Sequence, residues 1–81
     1  MTIREINQTQ CDNLCRNITV LARRQELTMT QLSEKTGVPA ELLIPLEQMI
    51  LPDALTAGHL LDLCEYFGCR LGSLLRESMG D

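Results

Sequence analysis

Aromatic rings are scarce in this chain: only Tyr66 and Phe67 carry them. A core with so few rings has to be aliphatic, which suits packed helices. No apolar run approaches the ~20 residues that cross a bilayer as a helix. The first residues, MTIREINQTQ, lack the basic-then-apolar pattern of a secretory signal. A cytoplasmic chain without membrane contact is therefore expected, with its four cysteines reduced. The one histidine, His59, has no nearby Ser, Cys or carboxylate arrangement resembling a catalytic triad, and there is no Gly-rich phosphate loop. An enzyme with a small-molecule substrate is not expected. Neither cysteine pair, Cys11 with Cys15 or Cys64 with Cys69, has the C-x2-C spacing common in zinc sites. All four fit apolar helix positions or helix ends as small hydrophobes, so neither metal nor cofactor is expected.

Basic residues are also in short supply. The net charge is −4, and no Lys or Arg occurs between Lys35 and Arg70. The same interval holds Glu41, Glu47, Asp53, Asp62 and Glu65. Phosphate neutralisation supplies much of the affinity of proteins for DNA, so any DNA binding is expected to be weak. Arg23 and Arg24 read most simply as a solvated face, and together with Lys35 they are also the best candidate phosphate contacts.

What is present is a regular helical pattern. Eighty-one residues with 44% hydrophobic content make one domain with a modest core. Residues 1–8 are set apart as an N-terminal arm and 77–81 as a loose tail, leaving 9–76 as the folded domain. Cys11, Leu14, Cys15, Ile18, Leu21 and Ala22 follow helical spacing, which predicts a helix over 10–25 with Thr9 as its cap. Its outer face carries Asp12, Arg16, Arg23 and Arg24. Thr28 and Gln31 have the spacing of a capping box, in which two side chains satisfy orphan amides reciprocally. Gly37 then suits the left-handed end of a helix over 29–36. Leu42, Leu43 and Leu46 stripe a third helix over 40–48. After a loop, Thr56 starts a fourth helix with Leu60, Leu61, Leu63, Cys64 and Phe67 turned inward, and Gly68 ends it. Leu71, Leu74 and Leu75 complete the core from a short fifth helix over 71–76.

Two short helices joined by a tight Gly-containing turn make a helix-turn-helix. Leu32, Gly37, Val38, Leu43, Leu46 and Glu47 resemble the framework of the phage-repressor and Cro type of helix-turn-helix. The run Leu60 to Leu75, LLDLCEYFGCRLGSLL, is similar to the fourth and fifth helices of that family. The resemblance spans residues 14–75 and implies an all-α, five-helix lambda-repressor-like domain. It also implies a small transcriptional regulator acting as a homodimer, with the third helix in the major groove. The DNA-facing positions it implies are Met29, Thr30, Pro39, Ala40, Glu41, Ile44 and Pro45. It reads Glu47 as a structural brace.

The residue types at those positions depart from the family. Met29, Ala40 and Ile44 offer only apolar contact with a thymine methyl. Glu41 could accept from a cytosine amine, but it also repels phosphate. Pro45 inside a helix removes a backbone bond and clashes with the preceding turn, at a cost of about 3 kcal/mol or more. Where relatives carry a glycine and lysines, this chain has Gln48, Met49, Ile50 and Leu51.

Two readings of Leu42, Ile44, Met49, Ile50 and Leu51 compete. All five belong to the core, or at least three are exposed and mark a protein contact. On the second reading Ile44, Met49, Ile50 and Leu51 are the candidate interface. The partner would be a second copy or another regulatory protein, and the chain would serve as an interaction module, an antirepressor or co-regulator, rather than a DNA reader.

Overall fold

The computed structural model describes residues 7–76. The arm over 1–8, apart from Asn7 and Gln8, and the tail over 77–81 lie outside the described residues. Five α-helices and one 3-10 helix make up the described chain, with no strand among them. The expected all-α architecture is correct.

Helix α1 (Gln8–Arg24) begins two residues before its expected start. Asn7, not Thr9, is its cap. The Asn7 Oδ1 accepts from the Gln10 N–H at 2.8 Å, and the Gln10 Oε1 accepts from the Asn7 N–H at 3.1 Å. A box from Thr9 would need the shorter Asp12 to reach back, whereas a capping box uses Glu or Gln. Leu14, Cys15, Ile18 and Ala22 are buried as the stripe requires, while Cys11 and Leu21 are half-buried at its edge.

Helix α2 (Met29–Thr36) has the capping box that its sequence announces. The Thr28 Oγ1 accepts from the Gln31 N–H at 3.1 Å, and the Gln31 Oε1 accepts from the Thr28 N–H at 2.9 Å. Gly37 ends the helix at φ 82°, a conformation in which any side chain would be strained. Val38, fully buried, then redirects the chain.

Helix α3 (Ala40–Leu43) lasts one turn and tightens into a 3-10 helix over Ile44–Gln48. Pro45 is the physical cause. It has no N–H to bond to the Glu41 carbonyl, so the α-helical ladder stops there, and proline is tolerated at the start of the new segment.

Helix α4 (Ala57–Phe67) is capped by Thr56 and His59, whose Nδ1 accepts from the Thr56 N–H at 3.1 Å. Leu60, Leu63 and Cys64 are buried. Leu61 is not. At 55% exposure it stands outside, against expectation, because a residue one step from Leu60 lies about 100° around a 3.6-residue helix. Gly68 ends α4 in the left-handed region.

Helix α5 (Leu71–Arg76) brings Leu74 and Leu75 into the core as expected. It packs along α1, while α2 packs on α3 and α4. The α1–α5 contact includes a polar element absent from the leucine pattern. The Asn17 Nδ2 donates to the Leu74 carbonyl at 2.9 Å, and the Asn13 Nδ2 donates to the Leu75 carbonyl at 3.0 Å. The last carbonyls of a helix have no partner within it, so α1 caps α5 from the side.

Candidate nucleic-acid interface

The unit α2–Gly37–Val38–Pro39–α3 would bring two helix starts towards a groove. Its inner side is set by buried Leu32, Val38, Leu42, Leu43 and Leu46. With those inward positions filled, the residues between them are forced outward.

Met29 does not belong to the DNA-facing set. It is only 4% exposed and lies in the core cluster beside Leu32. A residue opening a helix directly after its cap can turn inward when the preceding loop packs, as half-buried Leu27 does here. Thr30 is exposed on α2. Pro39, Glu41 and Ile44 are exposed along α3 and the start of the 3-10 helix, with Ala40 and Pro45 half-buried between them. Pro39 is the residue before α3 and has no side chain to cap it.

The candidate phosphate contacts fall in the last turns of two different helices. Arg23 and Arg24 are exposed in the last turn of α1, where cations complement the carbonyl end of the helix. Only a short turn separates them from the start of α2. Lys35 is exposed in the last turn of α2, which places it roughly 10 Å further along that helix than Thr28.

Beyond α3 the five aliphatics divide. Leu42 is buried and Leu51 is half-buried against the core. Ile44 is 48%, Met49 38% and Ile50 54% exposed. Met49 takes φ 62°, and its N–H bonds to the Leu46 and Pro45 carbonyls. Ile50 donates to the Pro45 carbonyl at 3.0 Å. Glu47 lies exposed at the end of this turn.

All four cysteines are free thiols. Burial pushes the Cys15 thiol up to about 12, with neighbouring Cys11 and Asp12 adding to the effect. Burial likewise pushes Cys64 up to about 12, with Cys69 adding to it. Such thiols stay protonated and unreactive at neutral pH. Among the described residues no group of three or more His, Cys, Asp or Glu is placed to hold a metal, and no helix is long and apolar enough to cross a membrane.

Two surface hollows went unnoticed in the sequence. One, of about 380 Å³, is lined by Arg70, Gly72, Ser73 and Arg76. The other, of about 440 Å³, is lined by Lys35, Thr36, Asp62, Glu65 and Tyr66. The spacing of Arg70, Ser73 and Arg76 at three-residue steps was the signal for the first. The second joins α2 to α4 and had no local signal.

The family model for the Cro/C1-type helix-turn-helix DNA-binding domain matches residues 17–76, from within α1 to the end of α5. The chain belongs to the Cro/C1-type helix-turn-helix family. Its kind of domain is regulatory and DNA-binding, not enzymatic. No curated protein and no solved structure matches this Cro/C1-type chain. In this chain buried Leu32, Val38, Leu42, Leu43 and Leu46 shape the helix-turn-helix, and its outward face carries Pro39, Glu41 and Ile44 with Ala40 half-buried.

Proposed function

We propose that this Cro/C1-type domain regulates transcription by holding DNA chiefly through the phosphate backbone, with little base reading by α3. The supporting observation is the exposed surface of α3, which presents Pro39, Glu41 and Ile44 before the helix changes to 3-10 geometry. None of these donates the paired hydrogen bonds with which Arg, Asn or Gln read base edges. Arg23 and Arg24 beside the start of α2, with Thr30, are the groups suited to phosphate, and Lys35 adds a more distant charge. Two copies on neighbouring half-sites would double the phosphates engaged, which favours a homodimer on DNA.

Fluorescence anisotropy on random and genomic duplexes across salt concentrations tests this. The slope of log K against log salt is expected to be shallow, at about −0.9 per phosphate neutralised. Arg23→Ala and Arg24→Ala should weaken binding by the same factor on every sequence. Nanomolar, sequence-selective binding at physiological salt would refute the proposal and restore α3 as the reader.

Ile44, Met49 and Ile50 favour a second reading: the helix-turn-helix face serves as a protein-interaction module, as in an antirepressor or co-regulator. Clustered exposed aliphatics of this kind mark contact surfaces more often than scattered ones do.

A further inference from the structure

Three of the four large exposed hydrophobics among the described residues fall between Ile44 and Ile50. Single exposed aliphatics are ordinary on protein surfaces; three within seven residues form a patch. The backbone holds them together. Met49 in the left-handed region reverses the chain, and the bond from the Ile50 N–H to the Pro45 carbonyl returns Ile50 to the residue beside Ile44. Leu46 and Leu51 anchor the same turn in the core. The ridge therefore rests on packed structure and cannot turn inward without displacing residues already buried.

Charge decides what can cover it. A 3-10 helix has three residues per turn, so Ile44 and Glu47 eclipse one another on one side. Glu41 precedes Ile44 by the same spacing, so carboxylates flank the isoleucine along the helix in both directions. Asp53 follows in the next loop, and no cation occurs from residue 36 to residue 69. Phosphate is repelled by such a rim. A second copy docked by two-fold symmetry would set the same patch against itself, and a patch with no cation of its own offers the carboxylates of its copy no opposite charge. A partner with an apolar seat flanked by lysine or arginine satisfies both the aliphatic ridge and the rim.

We propose that the ridge of Ile44, Met49 and Ile50, rimmed by Glu41, Glu47 and Asp53, docks a different protein through an apolar surface with a basic border. This rests on the second reading above and names its partner's chemistry. The docked partner would occupy the face that relatives turn towards DNA, so association with it and entry of α3 into a groove would exclude each other.

The test uses the full chain and synthetic amphipathic helical peptides with one leucine stripe, in a small panel of spacings, flanked either by lysine or by glutamate. Amide chemical shifts are followed during titration. Lysine-flanked peptides should perturb residues 41–53 and bind about tenfold more tightly than their glutamate-flanked counterparts. Ile44→Asp and Ile50→Asp should each weaken them about tenfold while helicity and Tm are retained. Leu61→Asp, an exposed leucine elsewhere, should leave binding unchanged. Equal binding of both peptide types, or sedimentation showing a dimer that Ile50→Asp dissociates, would overturn the basic partner while leaving a protein-contact face. Binding of no peptide by a chain that stays monomeric would overturn both.

Discussion

Asn17 is the one fully buried polar side chain among the described residues, and replacing it should loosen the joint between α1 and α5. Its Nδ2 donates to the Leu74 carbonyl at 2.9 Å, and its side chain is fully enclosed. Asn17→Ala removes the donor and leaves that carbonyl without this partner in an apolar setting. An orphaned buried polar group costs about 1–3 kcal/mol, and a void of methyl size or more adds about 1 kcal/mol. The expected loss is about 2–4 kcal/mol. For a domain of this size each kcal/mol shifts Tm by about 4–8 °C, so the midpoint should fall by roughly 10–30 °C. Asn17→Leu refills the space without restoring the bond, and should recover only the smaller part. Asn13→Ala gives the contrast. Its bond to the Leu75 carbonyl at 3.0 Å is only part-buried, so water can replace it, at a cost of about 0.5–1.5 kcal/mol. Urea unfolding with an unchanged slope gives the free energies, and thermal circular dichroism gives the midpoints. If Asn17→Ala costs under about 0.5 kcal/mol, the range of surface changes, or no more than Asn13→Ala, the lateral capping of α5 is wrong.

Leu32→Ala, Leu43→Ala and Leu63→Ala, all at positions of 0% exposure, should each cost about 2–5 kcal/mol by urea unfolding, whereas Leu61→Ala should stay within about 0.5 kcal/mol. A similar cost at Leu61 would contradict its outward placement. Met49→Gly should raise stability by up to about 1 kcal/mol, because relief of the left-handed strain at φ 62° outweighs the entropy that glycine loses on folding. Met49→Ala removes the side chain without that relief, so equal midpoints for the two variants would rule out strain. Cys15 and Cys64, raised from 9.0 to about 12 by burial, keep their protons in the folded chain over a range where the unfolded chain loses them. Between those values the unfolded state binds fewer protons, so stability should fall as pH rises through that window. The Cys15→Ala, Cys64→Ala double variant should show a flatter decline in urea midpoint, and an equally steep one would exclude the thiols as its cause.

Much of the helical outline was legible because its determinants are local. Thr28 and Gln31 are three residues apart and complete their box without help from the rest of the chain. Gly37 and Gly68 sit where the backbone turns left-handed. Pro45 could be read as a break in the third helix, since the missing N–H belongs to the residue itself. The reciprocal box of His59 with Thr56 follows the same local rule, with a ring nitrogen in the place of a Glu or Gln oxygen.

Other features depended on which helix lies against which. Asn17 meets a carbonyl 57 residues away, so a polar residue inside an apolar stripe announced nothing until α5 was laid along α1. Leu60 and Leu61 are chemically identical neighbours, and only the rotation of α4 against its neighbours buries one at 2% and exposes the other at 55%. Met29 looked outward by family position, yet the packing of its loop turns it into the core. At the candidate interface, residue types alone gave the expectation that α3 offers little to a base pair. Tertiary structure decided which aliphatics remain outside. Burial depends on neighbours distant in sequence, whereas a cap or a helix break is completed within one turn.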